Sequence, residues 1–151
     1  MKLLSILLGS IILLSCGTTK NHETTEETTT VNTKPERNIM IKAEIGQFTE
    51  SEPFNITDVK LEGNTLFVYV DFIGGCGVHN FKAIGNIAIM KSMPPKRSFK
   101  IIHEVPREIC EEKVNKVLEI DISDLAESKT SGSQIFLILD GWDKEINYTF
   151  E

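Results

Sequence analysis

Glu62-Gly63-Asn64-Thr65, followed by Leu66-Phe67-Val68-Tyr69-Val70-Asp71-Phe72, is the stretch that decides the fold. The first four residues have the composition of a tight turn, and the next seven are rich in the β-branched and aromatic residues typical of a strand. Residues 54–61 form a second apolar run before the turn, so the two runs are expected to pair as a hairpin. The apolar period is two residues, which indicates a β protein.

The same alternation recurs along the rest of the chain. It is found in residues 39–45, 81–90, 99–105, 118–122, 135–139 and 146–150. Seven or eight short strands joined by frequent turns predict an antiparallel β-sandwich of the immunoglobulin-like kind. Residues 123–128 break the pattern and predict one short helical turn. Residues 107–117 are the one place where a longer helix could sit, and their apolar spacing is poor for one.

A glycine-rich loop follows the central strand: Gly74-Gly75-Cys76-Gly77-Val78-His79-Asn80-Phe81. Three glycines in four positions allow a sharp turn or a close approach of another segment, and such loops often carry function. His79 and Phe81 are therefore candidate ligand contacts. A structural role for His79, in which its ring nitrogens satisfy polar groups of the loop, is the competing interpretation.

The N-terminal residues 1–15 predict a secretory signal peptide, with one basic residue, Lys2, before an apolar run too short to span a bilayer comfortably. The run ends in Leu13-Leu14-Ser15-Cys16, which resembles the lipobox of bacterial lipoproteins. That resemblance implies acylation of Cys16 and cleavage before it. The alternative is an ordinary signal peptide with an incidental cysteine.

Residues 16–38 are rich in threonine and glutamate and predict a flexible tether, with an average span on the order of 25 Å. Residues 39–151 then form one domain with 12 Lys plus Arg against 18 Asp plus Glu. This negative balance argues against a nucleic-acid partner. Residues 91–100 are the local exception, with four cations and no acid, and predict either a solvated loop or a contact with anionic headgroups or glycans.

Two cysteines remain in the exported domain once Cys16 is lipidated. In an oxidising compartment such a pair most often forms a disulfide, here Cys76–Cys110. A thiol nucleophile with His79 as its base, or a metal site of Cys76, His79 and Cys110, are the chemical alternatives. A fourth metal ligand is not evident, because His103 lies in a strand-like run and His22 in the tether. We therefore assign no metal and no cofactor.

Trp142, beside the Asp140-Gly141 turn, has two interpretations. It is a candidate stacking contact for a sugar ligand, or it covers the edge of the core. No spacing among the carboxylates picks out an acid and a base, and neither a serine nucleophile elbow nor a phosphate loop is present. The sequence therefore assigns no catalytic residue.

The order of these motifs carries a family resemblance. Gly74-Gly75-Cys76-x-x-His79-x-Phe81, then Glu108-x-Cys110, then Ile120-Asp121-Ile122-Ser123-Asp124-Leu125 resembles a group of small uncharacterised bacterial lipoproteins common in Bacteroidota. The resemblance covers residues 65–140 and implies that the two cysteines are paired. It implies no particular activity.

Two functional hypotheses follow. The first is a cell-envelope lipoprotein, anchored by lipid in the outer membrane and facing the periplasm, that acts as a binding or structural module and contacts another envelope protein or a small ligand. The second is a metal- or thiol-dependent envelope enzyme that uses Cys76 and His79. The predicted lipid anchor, the tether and the disulfide-linked domain favour the first hypothesis.

Overall fold

The structure is a computed structural model and describes residues 38–74, 76–105 and 110–151. Its eight strands are β1 (Ile39–Gly46), β2 (Asn55–Glu62), β3 (Thr65–Gly74), β4 (Asn80–Asn86), β5 (Lys96–Glu104), β6 (Glu112–Asp121), β7 (Gln134–Leu139) and β8 (Ile146–Thr149). A single 3-10 turn, Ser123–Leu125, follows β6. Within the described ranges no helix is long and apolar enough to cross a bilayer.

Strand β3 shows why this sequence forms strands. Its alternate residues Leu66, Val68, Val70 and Phe72 are buried, whereas the residues between them are only partly covered. Successive side chains of a strand point to opposite faces, so a period of two places one face in the core. Gly63, at φ +55°, supplies the left-handed backbone of the tight turn that joins β2 to β3.

The strands form one sheet in the order β2-β3-β6-β1-β4-β5-β7-β8. Strand β1 is the junction of its two halves. Residues 39–42 of β1 pair in parallel with residues 118–121 of β6, and residues 43–46 pair in parallel with residues 83–86 of β4. The first half of β1 is therefore part of one side of the fold, and the second half is part of the other.

The sheet curls into a nearly closed barrel around one core. Asn64, in the β2–β3 turn, hydrogen-bonds Tyr148 of β8 and the backbone of Glu151, so the two ends of the strand order come together. The largest side chains that fill this core are Tyr148, Phe99, Leu66, Ile101, Leu118, Ile120, Ile122, Leu125, Ile135, Leu137 and Leu139.

Several sequence predictions are confirmed. The protein is all-β with eight strands, β2 and β3 form the predicted hairpin, and the predicted helical turn is present. The immunoglobulin-like sandwich is wrong, since one sheet curls on itself and β1–β6, β1–β4 and β5–β7 are parallel pairs. The suggested helix in residues 107–117 is wrong from Glu112 onward, where β6 begins.

The predicted N-terminal features fall outside the described residues. These are the signal peptide of residues 1–15, the lipid site Cys16 and the tether up to residue 37. Asn38, the first described residue, is exposed and leads directly into β1.

Candidate functional site: a histidine pair beside an open cleft

The disulfide Cys76–Cys110 is present, as predicted, with Cα atoms 5.9 Å apart. Cys76 follows the end of β3 and Cys110 precedes the start of β6, and these strand ends are antiparallel neighbours, with Gly74 opposite Glu112. The bridge therefore joins adjacent ends of the same sheet rather than two facing sheets. Because both sulfurs are bonded, neither is a thiolate nucleophile or a metal ligand.

His79, just before β4, lies against His103 of β5. Nδ1 of His79 is 2.8 Å from Nε2 of His103, and the two rings are stacked. Phe81 pairs with His103 across the β4–β5 ladder, and their rings stack at a centroid distance of 4.5 Å. His103 is only 2% exposed, whereas His79 is half-buried.

Aromatic rings enclose this pair. Phe72 lies 4.5 Å from the His79 ring and 4.7 Å from the His103 ring, and Phe54 meets His103 edge-on at 6.0 Å. Backbone contacts hold His103 in place as well, because its N–H donates to Ser51 Oγ and its carbonyl accepts from the N–H of Glu52, both at 2.9 Å. The pair is thus a fixed part of the fold.

The short contact between the two imidazoles limits their chemistry. In a hydrogen bond between ring nitrogens, one imidazole donates and the other accepts, so a single proton lies between Nδ1 of His79 and Nε2 of His103. Two imidazolium rings place two N–H groups face to face and break the contact. The structure thus gives His79 a bond to a second histidine, a partner that the sequence did not predict.

An open cleft begins next to His79, where β1 leaves β4 to pair with β6. It has a volume of about 430 Å³. It is lined by residues 39–42 and 44 of β1 and by residues 79–84. Phe81, one of the predicted ligand contacts, is buried on its wall together with half-buried Ile41.

Two lysines line the cleft, one on each strand. Ala43 is in register with Ala83, so Lys42 and Lys82 occupy opposite positions one residue earlier, where the strands part. Their side chains are 61% and 57% exposed and form surface ion pairs with Asp124 and Glu104, at 3.1 and 2.7 Å. The Asp124 carboxylate raises the pKa of Lys42 by hydrogen bonding and by charge.

Trp142 lies elsewhere. It sits in the β7–β8 connection, donates its backbone N–H to the carbonyl of Leu139, and packs half-buried against the core with Lys144 over its ring. A second recess of about 440 Å³ lies near this turn, lined by residues 51–56, Lys100, Ile101, Asp140 and Gly141. Trp142 lines neither recess, so the structure does not bring it together with His79 and Phe81.

The cationic segment of residues 91–100 is largely neutralised. Lys96 is paired with Glu145, and Lys100 lies 3.6 Å from Asp140. Arg97 is buried and donates to the carbonyls of Leu125 and Asn86. Burial lowers the pKa of Arg97. Three of the four cations are thus engaged within the protein.

Within the described part of the chain, no group of three or more His, Cys, Asp or Glu side chains is arranged to hold a metal ion. His103 is the residue that sequence reasoning missed, because it was assigned only to a strand. The alternation of the sequence did carry a signal for it. His103 follows Arg97, Phe99 and Ile101 at alternate positions of β5, and all four side chains are buried.

No protein-family model matches the chain, and no curated protein sequence matches it significantly. Among solved structures, a NigD-like immunity protein from Bacteroides caccae matches with a TM-score of 0.60 at 11% identity, over 76% of this chain and 66% of that one. This likeness shows a shared fold.

Two further structures match less closely. A toxin-related protein from Parabacteroides distasonis has a TM-score of 0.45 at 10% identity, over 75% of this chain and 61% of that one. A DUF1344 protein from Bacteroides vulgatus has a TM-score of 0.47 at 12% identity, over 75% of this chain and 56% of that one. The matches span less than two thirds of the length of all three structures.

Proposed function

We propose that this protein is a lipid-anchored module of the bacterial cell envelope that binds a partner. The observation that carries the binding role is the cleft between β1 and β4, a concave site of about 430 Å³ with apolar walls and charged rims. Volumes of this order are usual for binding sites in proteins. The residues that we expect to contact a partner there are His79, Phe81, Lys42 and Lys82, all of which line the cleft.

The envelope location is supported by two features at different places in the chain. Leu13-Leu14-Ser15-Cys16 has the pattern of a lipidation signal, and the Cys76–Cys110 bridge suits an oxidising compartment. We place the domain on the periplasmic side of the outer membrane, because the residues directly after Cys16 are Gly17-Thr18-Thr19-Lys20 and form no acidic cluster.

Binding is favoured over catalysis by the state of the reactive side chains. The thiol enzyme and the Cys-His metal site both require a free thiolate, and both sulfurs of the folded domain are bonded to each other. The ring nitrogen of His79 that faces the protein interior is bonded to His103. The B. caccae structure is named as an immunity protein; such a role, if shared, also fits a binding module.

Metabolic labelling with a palmitate analogue tests the anchor. We expect label in the wild-type protein and in Cys110→Ser, and none in Cys16→Ala, which retains its signal peptide. Equal labelling of Cys16→Ala and wild type contradicts the anchor. Added protease that removes the protein from intact cells contradicts the periplasmic location.

Thiol titration of the denatured, unreduced protein tests the binding role against the thiol enzyme. We expect no reactive thiol from Cys76 or Cys110. A stoichiometric free thiol at Cys76 in protein taken from the envelope contradicts the proposal.

A further inference from the structure

The β4–β5 connection, residues 87–95, is tied to the barrel at two points. Met90 and Lys96 exchange backbone hydrogen bonds of 2.8 and 3.1 Å, which close a short loop between them. Beside this bridge, Nη1 of Arg97 donates to the carbonyl of Asn86 at 2.6 Å, at the end of β4. These bonds fix residues 87–95, the tip loop, at one end of the barrel.

The tip loop exposes three large apolar side chains. Ile87 is 65% exposed, Met90 47% and Met93 101%. Phe48, which is 42% exposed, leaves the same end of the barrel, because β1 and β4 end side by side. Covering such side chains is favourable in proportion to the apolar area removed from water. A group of them on one fixed loop therefore marks a contact site.

The charge of this region favours an anionic partner. Residues 87–100 contain four cations and no acid, in a domain that has an excess of acids. Lys96, Arg97 and Lys100 are already engaged within the protein. Lys91 is the fourth cation; it is exposed and forms no ion pair with any residue that the structure describes.

Apolar side chains with a cation beside them fit a phospholipid surface. A bilayer presents anionic phosphates directly above apolar acyl chains, and segments that bind at this interface combine apolar side chains with Lys or Arg. Methionine supplies two of the three exposed apolar side chains of the tip loop. Its flexible, unbranched chain adapts to irregular surroundings, such as the acyl chains of a bilayer.

We propose that the tip loop inserts its exposed apolar side chains into the interface of a phospholipid bilayer. Lys91 lies between Met90 and Met93 in the sequence, so its ammonium group stays at the lipid phosphates while the methionines enter the apolar layer. This contact is additional to the β1–β4 cleft. It rests on the lipid anchor of the proposed function only for the nearness of a membrane.

The predicted tether is long enough for this contact. Residues 16–38 are expected to span on the order of 25 Å on average. Strand β1 begins one residue after the tether and ends beside the tip loop, and its eight residues are about 26 Å long. The two lengths agree, so an anchored domain reaches its own bilayer with the tip loop without stretching the tether.

Methyl NMR of methionine tests this inference, because the chain has four methionines and two of them lie in the tip loop. The purified full chain, labelled with carbon-13 at its methionine methyl groups, is mixed with nanodiscs of phosphatidylethanolamine and phosphatidylglycerol that contain a lipid spin-labelled in its acyl chain. We expect the Met93 signal to be lost and the Met90 signal to be weakened. Met40 is the internal control, because it is 83% exposed but lies near the other end of β1, in register with Glu119. Its signal should keep its intensity.

The variant with Ile87→Asp and Met93→Asp should restore the Met90 signal, since two of the inserted side chains then carry a charge. Ile73→Asp is the matched control. Ile73 is 63% exposed, almost the same as Ile87, but it lies on β3 in register with Lys113 of β6. Loss of the Met93 signal should be unchanged in this control. All of these residues are exposed, so both variants should fold, and an unchanged Met40 signal without lipid checks this.

Four results overturn the inference. Met90 and Met93 signals that keep their intensity with spin-labelled nanodiscs reject a lipid contact of the tip loop. Equal loss at Met40 shows that the domain has no preferred face toward the bilayer. Restored signals in Ile73→Asp show a nonspecific charge effect. Tip-loop signals that change with protein concentration in the absence of lipid, and stop changing in the tip-loop variant, assign the surface to a second copy of the chain. The test requires no acylation of Cys16, so the anchor and the tip-loop contact fail separately.

Discussion

The hydroxyl of Tyr148 donates a hydrogen bond to Oδ1 of Asn64 at 2.6 Å, across the seam where the barrel has no strand ladder. The same oxygen accepts the N–H of Glu151 at 3.1 Å, and Nδ2 of Asn64 donates to the carbonyl of Glu151 at 2.9 Å. One side chain in the β2–β3 turn therefore holds the end of the chain against the opposite end of the sheet.

Asn64→Ala should lower the free energy of unfolding by about 2–3 kcal/mol, because it removes three hydrogen bonds and leaves the hydroxyl of fully buried Tyr148 without its acceptor. Denaturant unfolding measures the change. Asn55→Ala is the control, since it removes one exposed bond, to Asp71, and should cost less than about 1 kcal/mol. Equal losses of unfolding free energy in the two variants would show that the hydrogen bonds of Asn64 across the seam stabilise the fold no more than one exposed hydrogen bond does.

Tyr148 also makes stability depend on alkaline pH. Burial, with smaller effects of Asp121 and Glu151, raises its pKa from 10.0 to about 12. The unfolded chain therefore releases the phenolic proton near pH 10 while the folded chain keeps it. The stability contributed by the neutral phenol is complete below pH 10 and is lost as pH rises through 12.

Tyr148→Phe isolates this dependence. Between pH 10 and 12 the wild-type free energy of unfolding should fall by roughly 2 kcal/mol more than that of Tyr148→Phe. The comparison removes the contribution of lysines, which titrate in both proteins. Parallel pH profiles for the two proteins contradict the assigned burial of the phenol.

The sequence predicts the local structure of this protein well and its strand partners poorly. The β2–β3 hairpin is determined by residues close in sequence, because the turn at Gly63 brings the two neighbouring strands into register. The partners of β1 are distant: residues 39–42 reach residues 118–121, and residues 43–46 reach residues 83–86. Nothing in an alternating pattern specifies which distant edge a strand will meet, so the parallel pairs and the cleft were not predicted.

The candidate site was likewise predictable from the sequence only in part. Cys76 and Cys110 were predicted as a pair because exported cysteines seldom stay free, an argument that requires no coordinates. The partner of His79 was not predicted, because His103 is 24 residues away and its nearness follows from the β4–β5 register. Trp142 belongs to the β7–β8 turn, and a tryptophan beside a turn does not reveal which recess it faces.

The histidine pair gives a prediction about coupling. His79→Ala, His103→Ala and the double variant form a thermodynamic cycle, and we expect a coupling energy of about 1 kcal/mol or more from the bond and ring stacking between them. Chemical denaturation above neutral pH gives the free energy of unfolding of the wild type and of the three variants. Additive losses, with no coupling, contradict a direct bond between Nδ1 and Nε2.

Gly85 of β4 should not accept a side chain. A Cβ built there lies 2.5 Å from Cδ2 of Leu125 and 3.0 Å from Cδ1 of Ile45, and Leu125 is fully buried. Gly85→Ala should therefore cost about 1–3 kcal/mol through overpacking. Gly46→Ala is the control, because its Cβ meets only Ile84 at 3.4 Å and should change stability by less than about 1 kcal/mol. Thermal unfolding of both variants decides between these expectations.

Cys76→Ser and Cys110→Ser should destabilise the domain equally, by about 3–4 kcal/mol in the chain-entropy model for the sequence separation of 34 residues. The double variant should be no less stable than either single variant, because all three lack the same bond. Thermal unfolding with and without reductant provides the measurement, and reduced wild type should match the variants. If Cys76→Ser alone abolished a measurable binding or catalytic activity while Cys110→Ser retained it at equal stability, the purely structural role of the bridge would be disproved.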